Sequence, residues 1–307
     1  MPKRRQLLLG LTGLAGCATV VEPKAPAQPR DALEVAYDIV RTRLPDSAGR
    51  VWALFHVHAA HGTGIAYACR AIYGTGYLLD ALGIEPEELE RVFTLSTDAT
   101  SYSSTLEAVH IFEHRLSPER AEAAFDAAVE TLSNGGRIEG LGFSAAEVMV
   151  GTAERLLAAP TPRIIASLPS GEVVGAIQLV GTGGLPRRRE REAMVFGVTN
   201  PQNGALGFSV PATISRADAV ITLNGAADAR VLFTAVSTDP QQAEIDAQWI
   251  TDHVNDALTI DLEIAELRVL GPYLFRAEKN RVVSELAVSR DEAEWVVAMA
   301  RTFMPGG

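Results

Sequence analysis

The chain has 307 residues, with 27 basic against 38 acidic side chains and a formal net charge of −11 at pH 7. An acidic body disfavours nucleic acid and anionic headgroups as partners, since like charges repel. With two cysteines and 47% hydrophobic residues, the fold rests on a core and not on a disulfide framework.

The chain opens MPKRRQLLLGLTGLAGCAT. Lys3, Arg4 and Arg5 make a short positive segment. Leu7 to Ala15 make an apolar run of about nine residues, too short to span a bilayer core. Leu14-Ala15-Gly16-Cys17 follows, and the whole pattern resembles the signal and lipobox of bacterial lipoproteins. That resemblance implies a signal peptide over residues 1–16, cleavage before Cys17, and acylation of the Cys17 thiol. Two or three acyl chains on one residue anchor stably, where a single chain is marginal. Arg4-Arg5-Gln6-Leu7-Leu8 also resembles a twin-arginine signal, with Lys3 in place of the usual Ser or Thr, which implies export in the folded state. A plain basic segment and general secretory export is the alternative reading. Ala18 stands where lipoproteins kept at the inner membrane carry Asp, so the resemblance favours the outer membrane.

Residues 17–30 read as the lipidated cysteine and an extended tether, with three prolines in VVEPKAPAQPR. Without residues 1–16 the chain has 24 basic and 38 acidic side chains, a net charge of −14. Cys69, in IAYACRAIYG, then has no second thiol to pair with and reads as a small buried hydrophobe. No other stretch reaches 18 apolar residues, so no spanning helix is expected.

In the body, Val51 to His58 (VWALFHVH) is apolar on both faces, as in a central strand. Residues 64 to 83 read as one helix ending at Gly83, and Glu90 to Thr97 and Glu107 to Leu116 as strands. Ser117 then caps a helix with Pro118 at its first position and Ala121, Ala124, Phe125, Ala128, Val129 and Leu132 as its apolar stripe. It stops at Asn134-Gly135-Gly136, and short strands are expected near 137–143 and 163–169. Asp218 to Gly225 and Arg230 to Ser237 read as a second strand pair. Asp239 caps a second Pro-started helix, with Gln242 closing the capping pattern. Long strand runs at 260–270 and 273–288 follow, and Ser289-Arg290-Asp291-Glu292 opens a last helix.

Strand, strand, Pro-started helix, strand, helix therefore occurs twice. The expected fold class is α+β: two related lobes of mostly antiparallel strands, an N-terminal lobe over 31–181 and a C-terminal lobe over 192–307. GTGGLPRRRERE at 181–192 is the expected boundary, and Arg187-Arg188-Arg189, beside Glu190 and Glu192, reads as a solvated linker. The layout resembles two-lobed exported proteins of no named family.

Histidine is the chemical signal. His56, His58 and His61 form H-x-H-x-x-H at the end of the first strand, and His110 and His114 lie in VHIFEH. On a strand, His56 and His58 would share a face about 7 Å apart, a spacing that suits Zn²⁺ or Cu²⁺. His61 in the following turn would add a third ligand, and His110 a fourth if its strand pairs nearby. HVHAAHG resembles the H-x-H of metal-dependent amidohydrolases, but those need eight βα units. It also resembles the H-x-H of cupins, but lacks the Glu expected a few residues on. His110-Ile111-Phe112-Glu113-His114 matches the H-x-x-E-H of inverzincin peptidases, whose histidines must share a helix face. Ser117-Pro118 starts a helix three residues later, so the motif belongs on a strand. There His110 and His114 stand about 13 Å apart and cannot share an ion. No phosphate-binding loop and no G-x-S-x-G elbow occurs. Ser96 to Thr105 reads as a hydroxyl-rich loop, and His253, near Asp252 and Asp256, as a solvated helix residue.

Two functions follow as expectations. The first is a non-catalytic, lipid-anchored binding or scaffold protein of the cell envelope, facing the periplasm or the exterior, with an envelope protein as partner and no cofactor. The second is a metal-binding protein or metal-dependent enzyme using His56, His58, His61 and His110.

Overall fold

The computed structural model describes residues 30–43, 49–71, 74–96, 107–132, 136–189, 191–203, 210–224, 228–257, 259–262, 265–268 and 273–289. The expected signal peptide with Cys17, nearly all of the tether, most of the hydroxyl-rich loop and the expected last helix lie outside them.

The first half of the chain forms α1 (Ala32–Arg43), β1 (Arg50–Phe55), α2 (Gly64–Ala68), α3 (Thr75–Leu82), β2 (Leu89–Ser96), β3 (Val109–His114) and α4 (Pro118–Thr131). It continues through β4 (Gly136–Ile138), β5 (Ser144–Val150), β6 (Ala153–Thr161), β7 (Ile164–Pro169) and α5 (Val173–Val180). The second half forms β8 (Glu192–Thr199), β9 (Arg216–Asn224), β10 (Asp228–Val236), α6 (Pro240–Ala257), β11 (Thr259–Leu262), β12 (Ala265–Arg268), β13 (Arg276–Glu278) and β14 (Arg281–Ser289). Among the described residues no helix is long and apolar enough to cross a membrane.

The fold is α+β. One twelve-stranded sheet runs in the order β13-β14-β10-β9-β8-β1-β2-β3-β7-β6-β5-β4, antiparallel throughout, and β11 and β12 form a separate hairpin. At its centre β1 pairs with β8, with Ala53 opposite Phe196 and Trp52 opposite Gly197. A Cβ on Gly197 would overlap the Trp52 indole, so glycine there lets the ring lie across the neighbouring strand.

Helices cover both faces. Ala53 and Phe55 of β1 pack with Ile65, Leu78, Leu82 and Phe125 of α2, α3 and α4. Leu54 points the other way and packs with Val35, Ile39, Ala176 and Leu179 of α1 and α5. Val51, in step with Ala53, belongs to a third cluster with Ala243, Ala247 and Ile250, so α6 lies on the same face as α4.

The two Pro-started helices begin as their sequences dictate. The Ser117 hydroxyl accepts from Arg120 N at 3.3 Å, and the Asp239 carboxylate accepts from Gln242 N at 2.9 Å. Three elements depart from the sequence expectation. The helix expected over 64–83 is interrupted: Gly74 sits at φ 80°, and Gly76 lies so close to the Arg70 carbonyl that no side chain fits. The strand runs expected at 260–270 and 273–288 are each folded into hairpins, β11·β12 and β13·β14. Residues 144–161, for which no element was expected, form the hairpin β5·β6. Cys69 is buried and in no disulfide.

Candidate functional site: a cationic cleft at one rim of the sheet

The end of β1, the starts of β2 and β8, the end of β3 and the start of β7 converge on one rim, because neighbouring strands are antiparallel. A cleft of about 280 Å³ opens there, lined by His56, His58, Ala59, Glu90, Arg91, Arg187 and Arg188.

Arg91 is the fixed charge of this cleft. Its Nε donates to Glu113 Oε2 at 2.6 Å, Nη2 pairs with the same oxygen, and Nη1 donates to the carbonyls of Leu185 (2.9 Å) and Pro186. Arg163 approaches the other oxygen of Glu113 at 3.5 Å. Glu113, only 8% exposed, is therefore an acceptor shared between two guanidiniums, so both of its oxygens have a cationic partner. The segment 183–189 is pinned over this pair. Gly183 N donates to Arg30 O, Arg188 Nε donates to Glu192 O at 2.6 Å, and Arg189 N donates to Glu192 Oε2 at 3.0 Å. The basic run read as a solvated linker is exposed throughout, yet two of its three arginines, Arg187 and Arg188, line the cleft.

His56 sits at the cleft wall and is 2% exposed. Its backbone N donates to Ala193 O at 2.9 Å, continuing the β1·β8 pairing. Neither ring nitrogen has a hydrogen-bond partner, and the nearest carboxylate, Glu192, lies 3.8 Å from Nε2. Burial, together with the charges of Arg91 and Arg188, pushes its pKa down to about 4, so the ring is neutral at pH 7. His58 lies in a short 3₁₀ turn, residues 58–60, with Nδ1 2.7 Å from Arg115 Nη1. Accepting that bond requires an unprotonated Nδ1.

The expected metal set is not brought together. The first strand ends at Phe55, so His56 and His58 do not stand at successive same-face positions of a strand. His61 is an exposed residue of the turn. His110 lies on the opposite face from Arg91 and Glu113: it stacks on Phe112 of the α3–α4 side, whereas Phe93 and Ile111, in step with Arg91 and Glu113, pack on the α1–α5 side. Its Nδ1 is 3.1 Å from the hydroxyls of both Thr75 and Thr94, and burial pushes its pKa down to about 3. Among the described residues no three His, Cys, Asp or Glu side chains are grouped to hold a metal ion. H-x-x-E-H lies on β3, as expected, with His114 buried and neither ring nitrogen bonded; burial and Arg163 push its pKa down to about 4.

Sequence reasoning missed Glu90, Arg91, Arg187, Arg188 and Glu192. The run Arg187-Arg188-Arg189 was the one available signal, and the two acids beside it disguised it. The lining offers cations, one carboxylate and two imidazoles, that of His56 neutral at pH 7, and no hydroxyl or thiol nucleophile. Comparison with known protein families, with curated protein sequences and with solved structures finds no match.

Proposed function

We propose that the protein is an exported lipoprotein, held to a membrane of the cell envelope through Cys17, and that it works there as a binding protein and not as a catalyst. The observation that carries the binding half is the cleft lining: Arg91, Arg187 and Arg188 beside a neutral His56, with no nucleophile among the groups that face the opening. The anchoring half rests on the lipobox-like Leu14-Ala15-Gly16-Cys17 behind a basic and an apolar segment. Described residues begin at Arg30, whose carbonyl accepts from Gly183 N beside the segment that covers Arg91. Mass spectrometry of protein from its own envelope tests the anchor. We expect an N-terminal acylated Cys17 and release of the Cys17→Ser variant from membranes. An intact Met1, or a Cys17 with no acyl mass, overturns it.

We also propose that the two halves are related units. Register supports this. Across the first half, Leu157, Ser167, His110, Thr94 and Ala53 are consecutive lateral partners from β6 through β7, β3 and β2 to β1. Across the second, Arg276, Val283, Thr234, Asp218 and Gly197 are the partners from β13 through β14, β10 and β9 to β8. Both halves leave the third strand of their chain order through a capped proline, cross one face by a helix, and return beside that strand. Pro118-x-x-Ala121-Glu122 and Pro240-x-x-Ala243-Glu244 open the two crossings alike. In this correspondence the histidine-rich rim belongs to the first unit alone, so one cleft per chain is expected.

A further inference from the structure

The cleft sits in a chain of net charge −11, yet its lining holds three arginines against the single acid Glu90. Such a local excess works against the charge of the whole molecule. The charge on Arg91 is already matched by Glu113, and its position is set by two carbonyls. Arg188 lines the cleft and donates Nε to Glu192 O, and among the described residues its two terminal nitrogens have no other partner. Arg187 makes no hydrogen bond or ion pair among the described residues, so its whole fork is available. Behind them His56 is buried with both ring nitrogens unbonded, and the Glu192 carboxylate, at 3.8 Å, is too far to satisfy it. A buried imidazole in this condition is an incomplete site, because such groups normally find a partner in protein, water or ligand.

We infer that the cleft binds the phosphate group of a small phosphorylated compound, gripped by Arg187 and Arg188, with His56 donating a ring N–H to one oxygen. Paired guanidiniums suit this group because their planar forks match two oxygens at once. His58 and Ala59 complete the lining, and Glu90 would accept from a hydroxyl or amine on the rest of the ligand. The acids Glu90 and Glu192 reject an anion that cannot engage both arginines. This inference rests on reading the cleft as a binding surface, but it does not depend on the lipid anchor.

The test uses the full chain in detergent, titrated with inorganic phosphate at constant ionic strength. Calorimetry reads affinity, and ¹⁵N spectra of the histidine rings read His56. We expect saturable one-to-one binding that shifts the His56 ring nitrogens. Affinity should fall about tenfold or more in Arg187→Ala/Arg188→Ala, because two charge-assisted contacts are lost. Both arginines are exposed, so this variant keeps the fold, and thermal unfolding checks that it does. Arg276→Ala, whose partner is Glu278 at the far edge of the sheet, controls for general charge and should bind as before. Glycerol phosphate and phosphatidylglycerol vesicles, each added as competitor, separate a soluble phosphate from a lipid headgroup as the source. No saturable binding, equal binding by the double variant, or an unmoved His56 overturns the proposal. Acylation of Cys17 is read separately by mass, so the anchor and the phosphate site can fail independently.

Discussion

Set side by side as the proposed related units, the two halves of the sheet bury polarity in different ways. In the first half the buried polar side chains include His56, His110 and His114, each held neutral at pH 7 by burial, and Glu113, which pairs with the partly buried Arg91. In the second half the corresponding feature is one carboxylate. Asp246 of α6, 1% exposed, accepts from Thr213 Oγ1 at 2.7 Å, from Ser237 Oγ at 2.5 Å and from Gln242 Nε2 at 2.9 Å. Counting from the two helix-capping residues, Ala124 holds the equivalent place on α4 and is wholly buried in the apolar core. Asp246 is satisfied locally and ties its helix to a neighbouring loop. His56 and His114 are left with unbonded nitrogens at a rim. The lesson is that a satisfied buried polar group stabilises its own half, and an unsatisfied one marks a place kept for something else.

The largest effect expected from this contrast is on acid stability. The folded-state pKa values of His56 and His114, about 4, and of His110, about 3, lie below the ordinary histidine value near 6.5. The unfolded chain therefore takes up protons first as pH falls. Stability is complete above about pH 6.5 and is lost toward pH 4, by about 1.4 kcal/mol per pH unit for each of the three rings. Urea unfolding between pH 7 and pH 4.5 measures the slope. His114→Asn should remove about one third of it, and an unchanged slope would show that the rings are not held neutral. Hydrogen exchange in the same range should show β3 and β7 opening before β9 and β10; the reverse order would break the contrast between the halves.

A smaller effect belongs to the second half. Asp246→Ala strands two hydroxyls and an amide near a buried position and should cost about 3 kcal/mol, since bonds to a charged acceptor are worth about 1.5–3 kcal/mol. Chemical denaturation measures it; a loss under about 1 kcal/mol would mean that water replaces the carboxylate without penalty. The smallest effect sharpens the match between α4 and α6. Ser117→Ala and Asp239→Ala should each cost about 1 kcal/mol, with Asp239 the costlier because its bond is shorter and its charge faces a helix N-terminus. Equal costs, or a larger cost at Ser117, would remove that ranking.

Much of the fold was legible because its signals are local. Ser117-Pro118 and Asp239-Pro240 start helices for reasons confined to four residues, and Gly83 ends α3 at φ 60°, as a left-handed terminus requires. The strands carrying Val92–Leu95, Val109–His114 and Val231–Val236 alternate or run apolar as paired strands do. Residues 144–161 were missed because AAEVMV and ERLLAAP are short apolar runs that suit helix or strand equally. The break at Gly74–Gly76 was missed because helical spacing continues through it, and only the close approach to Arg70 exposes it.

The candidate site was legible in one part. Sequence alone determined that histidines gather near the end of one strand and that three arginines stand in a row, because both are facts of adjacency. It also determined the capping of α4 and α6 and the burial of Cys69, since these depend on neighbours along the chain. Only the tertiary structure decided that Arg91, Arg188 and His56, far apart in sequence, share one rim and that His110 lies on the other face. The physical reason is that alternation on a strand sets which residues share a face, but not which strands become neighbours. That choice belongs to the pairing of β1 with β2 and β8, and the β1–β8 partners stand more than a hundred residues apart.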